Sequence, residues 1–462
     1  MVATLQPPLA HLPPQFAPRL RRFLKPFLPL WLRWACGLTR IEEYHLERLV
    51  PVAAEFAAQK ARYILAFRHP STRDDPFLLM HLVSRALPQA AQAQGVNLPQ
   101  PTHTYFAYDR GIPLWAGRHI AWLFPRLGGI SVRRGTLDRA ALKTLREILV
   151  QGEFPLAIAP EGGTNHHSEA IEPLEPGTAQ LGFWALEDLR KLGRSERVYI
   201  VPITFQYLYE SDNSAQRERY LQYLEKQVGV RSDDPVYQAA HATAVPLSAS
   251  IAGPDQKQYQ RLFALGMYVV NYIEQHYRRF YGHLAPPPLP ENAPLSDRLD
   301  SLRDFVLRVA ESYFATANRG TVMDRCRRLE SIIWERMYRE DYAEVCRYGV
   351  LGKGLGDRLA QDAAAANGHM RLAESVRAIT GTYVASHPSP TRFAETLILL
   401  GQALDRVQGK PYGQPLPDLG PRYARLTAGE PIDLTPRYEE YQSSRSAAKQ
   451  CLADVNTAIA QA

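Results

Sequence analysis

Tyr63-Ile64-Leu65-Ala66-Phe67-Arg68-His69-Pro70-Ser71-Thr72-Arg73-Asp74-Asp75-Pro76-Phe77 carries the reading of the fold. An apolar run, Tyr63–Phe67, has the length and side chains of a buried strand. A polar loop follows, and Pro76 then opens a helix-type segment, Pro76–Leu87. The same grammar repeats down the chain. Thr104–Tyr108, Ile130–Val132, Phe154–Ala159 and Val198–Phe205 read as further strands. Pro113–Phe124, Leu137–Val150 and Gly177–Leu192 read as the helices between them. Strands alternating with helices predict an α/β fold with a mainly parallel central sheet flanked by helices. In such folds the chemistry gathers where strands run out into loops.

The opening stretch also carries a candidate base. His69 leaves the strand and Asp74 follows five positions later, where a helix begins. A loop of that length can fold a carboxylate back onto the imidazole, fix its tautomer and leave the other ring nitrogen as a base. Asp75 is a rival partner. No Ser or Cys nucleophile is needed beside such a pair, because a substrate hydroxyl can take that role. Three more blocks stand at strand ends. Gly128-Gly129-Ile130-Ser131-Val132-Arg133-Arg134-Gly135 ends in two arginines, suited to phosphate. Ile158-Ala159-Pro160-Glu161-Gly162-Gly163-Thr164-Asn165 has glycines that let backbone N–H groups approach an anion. Val201-Pro202-Ile203 lies in the last strand.

These four blocks, in this order over residues 60–210, resemble the glycerolipid acyltransferase family, whose type member acylates 1-acylglycerol 3-phosphate. His69, Ser71 and Asp74 match the family's first block, N-H-x-S-x-x-D, and that spacing favours Asp74 over Asp75. Gly128, Ile130, Val132 and Arg134 match the second block; Pro160, Glu161 and Gly162 match the third. Arg68 stands where the family has Asn, and Gly163 intervenes before Thr164, so the family's Thr-Arg pair becomes Gly163-Thr164-Asn165. The resemblance implies transfer of a fatty acyl group from acyl-carrier protein or coenzyme A to a lysophospholipid hydroxyl, giving phosphatidic acid from 1-acylglycerol 3-phosphate. His69 would be the base and Asp74 its orienting carboxylate. Arg134, Glu161 and Gly162, with Ser71, Arg133 and Gly163, would bind substrate. Backbone N–H groups near Gly162 or Gly163 are candidates to stabilise an oxyanion. Another acceptor (a different lysophospholipid, glycerol 3-phosphate or a non-phosphorylated lipid alcohol), a hydrolase, and a non-catalytic lipid-binding protein remain alternatives.

Composition bounds the rest. The 462 residues carry 54 Lys+Arg against 47 Asp+Glu, a net +7 too diluted to indicate nucleic acid, and are 45% hydrophobic, so a globular protein of two or three domains is expected. Cys36, Cys326, Cys346 and Cys451 are widely spaced and fit a reducing compartment, with no C-x-x-C and no metal site expected. No resident cofactor is expected beyond the thioester co-substrate. His166-His167 reads as a solvated loop pair. No secretory leader and no simple membrane span are expected.

The division expected is residues 1–45 as a basic amphipathic arm, 46–285 as the acyltransferase domain, 286–294 as a Pro-rich linker, and 295–462 as a helical domain of unassigned role. In the arm, Arg19, Arg21, Arg22, Lys25, Arg33 and Arg40 alternate with Phe, Leu and Trp, and no acid intervenes. That pattern suits a membrane surface, so a cytoplasmic, peripherally membrane-associated protein is expected. Pro26 and Pro29 argue against one straight helix there. Residues 210–255 read as a polar connection, 410–436 as irregular, and Gly352-Lys353-Gly354-Leu355-Gly356 as a flexible turn. Arg325, Arg327 and Arg328 read as a solvated, salt-bridged face.

Overall fold

A computed structural model describes residues 3–135, 137–210, 213–231, 233–244, 254–290, 293–410 and 414–461. The chain forms two compact units, each assembled from separated segments. An α/β unit comprises His11–Arg133, Leu137–Leu208 and Pro421–Ala462; a helical unit comprises Met1–Ala10, Arg134–Thr136 and Tyr209–Gly420.

Among the described residues the α/β unit has eight strands: β1 (Leu38–Tyr44), β2 (Ala61–Phe67), β3 (Tyr105–Asp109), β4 (Gly129–Val132), β5 (Leu156–Ile158), β6 (Arg197–Tyr209), β7 (Arg422–Ala428) and β8 (Ile432–Asp433). Their order is β1-β7-β6-β2-β5-β3-β4, with β8 antiparallel on β6. β2 runs parallel to both β5 and β6, as β3 does to β4 and β5, and β1 to β7. All seven residues of β2 are buried, as a central parallel strand covered on both faces requires. Alternate side chains serve two cores. Tyr63, Leu65 and Phe67 pack with Leu78, Leu79 and Leu82, while Ile64 and Ala66 pack with Leu145, Leu149 and Phe183 on the opposite face.

The five expected strands are present, and the mostly parallel α/β arrangement with them. Three strands were not expected. β1 lies within the presumed arm, and β7 and β8 within the presumed irregular stretch. β1 reads Leu-Thr-Arg-Ile-Glu-Glu-Tyr, charged because it is an edge strand, and its partner β7 lies in the last tenth of the chain. Neither has the apolar run that marks a buried strand.

The arm is broken at its prolines into two short helices, Pro18–Leu24 and Leu28–Trp34. Arg21 and Leu32 are buried, while Phe23, Phe27, Leu30, Trp31 and Trp34 are exposed. Trp31 packs its ring 5.2 Å from that of Phe77. No helix among the described residues is long and apolar enough to cross a membrane.

The domain boundaries differ from those expected. The first ten residues belong to the helical unit, and Gln6 bridges Tyr338 there. The Pro-rich stretch separates two helices of one unit, Pro254–Tyr281 and Leu295–Ser312; its residues 291–292 lie outside the described residues. The chain after Gly420 returns to the α/β unit, where Leu434, Cys451, Val455 and Ile459 join the core beneath β2 and β6. Residues 210–255 are mainly two helices, Ser214–Val228 and Pro235–Thr243; 211–212, 232 and 245–253 lie outside the described residues, as do 411–413.

The helical unit packs Pro254–Tyr281, Leu295–Ser312, Val322–Met337, Gly349–Arg377 and Pro390–Val407 around Phe305, Val306, Leu329, Met370 and Leu397. The glycine-rich 352–356 segment is helical, not a turn. Arg325 is buried, not solvated: it grips Glu311 through two bonds of 2.8 Å and Asp304 at 2.7 Å.

Candidate active site

The His69 loop begins where the ladder ends. Arg68 N–H makes the last backbone bond to β6, at Ile203 O (2.9 Å). Pro70 has no N–H to extend it. Ser71 then organises the turn into the helix Asp75–His81. Its Oγ accepts from Asp74 N–H (3.1 Å) and donates to Asp74 Oδ2 (3.0 Å). Its own N–H donates to Asp75 Oδ2 (3.1 Å).

The carboxylate against the imidazole is Asp75, not Asp74. His69 Nδ1 lies 2.6 Å from Asp75 Oδ2. Consecutive residues entering a helix point about 100° apart, so only one of the pair can face the ring. Asp74 turns the other way, onto Ser71 and onto Arg422 of β7, whose Nη2 donates to Oδ2 at 2.7 Å. The family spacing favoured Asp74, and nothing near it in sequence announced Arg422, 348 residues away.

Asp75 is fully buried, yet both its oxygens are satisfied: Tyr207 OH donates to Oδ1 at 2.6 Å. Burial raises the Asp75 carboxyl above its ordinary value, against the lowering pull of His69, Tyr207 and the Ser71 N–H. The same surroundings push the Tyr207 hydroxyl well up, burial first and Asp75 second, so it stays a donor. The His69 side chain keeps 23% of its surface exposed. With Nδ1–H on Asp75, Nε2 has a lone pair and no hydrogen-bond partner among the described residues. That arrangement suits a general base open to solvent.

Tyr207 was not foreseen. Phe67 pairs with Ile203, so Tyr207 overhangs the end of β2 by four residues on the face shared by Ile203 and Phe205. The parallel register would have located it; the sequence alone carried no register. Beside Asp74, the Cys36 thiol is pushed up to about 12 by burial and by that carboxylate, which disfavours the thiolate at neutral pH.

The third block also reaches His69, through the backbone. Glu161 Oε1 accepts from His69 N–H (3.2 Å) and Oε2 from Asn165 Nδ2 (2.6 Å). Glu161 is buried, and burial raises its carboxyl. Through the His69 N–H it helps to fix the histidine's position. Arg68 ties the same loop down through the carbonyls of His167, Ser168 and Ala170. His167 is therefore buried, not solvated, its N–H on Asn165 Oδ1 at 2.9 Å. Gly162 has φ +66°, a backbone shape that favours glycine, and its N–H donates to Ala159 O. Among the described residues nothing accepts the N–H of Gly163, the better oxyanion donor of the two.

Two of the expected substrate-binding side chains have partners within the protein. Ser71 directs its hydroxyl into the loop cap. Arg134 belongs to the helical unit, where its Nη2 lies 3.3 Å from Glu330 Oε1. Arg371 reaches the same Glu330 oxygen at 2.6 Å and Glu374 at 2.6 Å. Arg133 remains in the α/β unit, its backbone N–H held by Asp138 Oδ2 at 2.9 Å. Among the described residues, no three His, Cys, Asp or Glu side chains gather as metal ligands would.

Comparison with family models, with curated proteins and with solved structures yields no match to this chain. The chemistry therefore stands on the imidazole, its buried carboxylate and the four sequence blocks.

Proposed function

We propose that this protein is an O-acyltransferase that moves a fatty acyl group from an acyl-carrier protein or coenzyme A thioester to a lipid hydroxyl. The observation that carries the reading is His69 held at Nδ1 by the buried Asp75, at the end of a parallel strand, with Nε2 open. A thioester carbonyl is already activated, but the acceptor alcohol holds its proton too tightly at neutral pH. His69 Nε2 takes that proton as the oxygen attacks the carbonyl carbon. The new C–O bond forms, the C–S bond breaks, and the imidazolium returns the proton to the leaving thiolate. Asp75 stabilises the imidazolium between these steps. The Gly163 N–H is the donor assigned to the oxyanion.

The exposed Phe23, Phe27, Leu30, Trp31 and Trp34, of which Trp31 packs on Phe77 in the helix that carries Asp75, support a peripheral membrane protein that takes its acceptor from the lipid surface. By the sequence blocks, the acceptor is 1-acylglycerol 3-phosphate and the product phosphatidic acid. A second reading, a lipid alcohol without phosphate, is favoured by the Arg134–Glu330 pair, since the arginine matched to phosphate is engaged in the helical unit.

The test is an assay with both thioester donors against lysophosphatidic acid, another lysophospholipid and a monoacylglycerol. New ester product is expected, with a loss of about 10²–10⁴-fold in His69→Ala. Free fatty acid without ester would identify a hydrolase. No turnover of any acceptor would sink the reading.

A further inference from the structure

In the helical unit, Tyr348-Gly349-Val350-Leu351-Gly352-Lys353-Gly354-Leu355-Gly356-Asp357-Arg358-Leu359 leads into and forms the first three turns of the helix Gly349–Arg377. A helix in water turns its large apolar side chains inward and its polar ones outward. This segment is inverted. Gly352 faces the backbone of Val345, and Gly356 faces Leu5. Outward stand Val350, 92% exposed, Leu351, 73%, Leu355, 61%, and Leu359, with Tyr348 preceding them at 70%. The inversion stops after Leu359. From there Ala360, Ala363, Ala366 and Met370 are buried, and Gln361 and Asp362 are exposed.

Five exposed large apolar side chains within twelve residues mark a surface that something covers. Charge indicates what. Arg347, Lys353 and Arg358 are exposed around the patch. Asp357 is the one acid between residues 345 and 359, and its carboxylate is occupied by Lys353 (2.6 Å) and the Leu5 N–H (2.9 Å). A two-fold contact between copies would bring these bases against themselves. An anionic lipid surface pairs with them and admits the leucines to the acyl boundary.

We propose that residues 347–359 are a membrane-docking element for anionic phospholipid, separate from the amino-terminal arm. Val350, Leu351, Leu355 and Leu359 enter the bilayer interface, and Arg347, Lys353 and Arg358 meet lipid phosphates. The proposal does not depend on the acyltransfer reading and is tested without turnover.

Hydrogen exchange on the full chain, with phosphatidylcholine vesicles and with vesicles holding about 30 mol % phosphatidylglycerol, reads the segment directly. Amides of residues 348–359 gain protection with the anionic vesicles and lose that gain in high salt. Leu351→Ser/Leu355→Ser weakens vesicle co-sedimentation by about tenfold or more, with an unchanged melting temperature. Equal exchange with and without anionic vesicles would overturn the proposal, whatever the arm does. So would protection that rises with protein concentration alone, which would identify contact between copies. Protection by an acidic protein but not by vesicles would also overturn it.

Discussion

At the scale of single residues, two adjacent carboxylates have different tasks, and substitution separates them. Asp75→Asn leaves the loop's shape but removes the charge behind the imidazole, so the proposed turnover falls by about 10²–10⁴-fold with little change in melting temperature. Asp74→Asn leaves Arg422, only 12% exposed, without its anion, which destabilises by about 3–5 kcal/mol, while turnover per folded molecule stays within about tenfold. Equal turnover losses from both would contradict the assignment. The sequence supplied His69 and two candidate carboxylates. It did not supply the choice, because Tyr207 and Arg422, which sort them, arrive through sheet pairing. His103 gives a residue-scale test of pH. Burial first, and Arg21 second, depress its imidazole to about 3 from 6.5. The folded protein keeps it neutral while the unfolded chain takes up a proton below pH 6.5. Stability therefore falls as pH drops from 6.5 towards 3, by about 1.4 kcal/mol per unit from this group once below 6.5. In His103→Gln the stability of the α/β unit, followed by urea denaturation between pH 6.5 and 4.5, loses that part of its slope.

At the scale of elements, legibility followed burial pattern. β2 announced itself because both its faces are covered, which makes an unbroken apolar run. β1 and β7 did not, because a charged edge strand and its neighbour carry mixed sequences whose pairing is visible only in three dimensions. The glycine-rich segment misled in the opposite direction. Four glycines in eight residues read as a turn by propensity, but two of them serve close packing. A methyl group built on Gly352 would stand 2.3 Å from Val345 O, whereas one on Gly354 meets nothing within 4 Å. Gly352→Ala is therefore expected to destabilise the helical unit by about 1–3 kcal/mol. Gly354→Ala is expected to stabilise it by about 0.5–1 kcal/mol through helix propensity. The midpoints of denaturant transitions followed by helical circular dichroism compare the two, and shifts of the same sign would refute the packing role.

At the scale of the whole molecule, the composition and alternation of the first half identified an α/β unit, but chain order concealed how that unit closes. The last 42 residues look separable in sequence, after a Pro-rich stretch and a run of helices. Yet β7 lies between β1 and β6 in the sheet, Arg422 of β7 holds Asp74, and Val455 and Ile459 are part of the core behind β2. Removing them would strip the sheet of an internal strand, expose both flanking edges and leave Asp74 a buried charge without its cation. A chain ending at Gly420 is thus expected to lose the α/β unit's cooperative transition and all turnover dependent on His69, while the helices of Pro254–Val407 retain theirs. The contrasting fragment, residues 295–462, separates the strands β7 and β8 from the sheet they complete and is expected to aggregate. Calorimetry on the truncated chain decides the matter, because two surviving transitions would mean that the sheet closes without its carboxy-terminal strand.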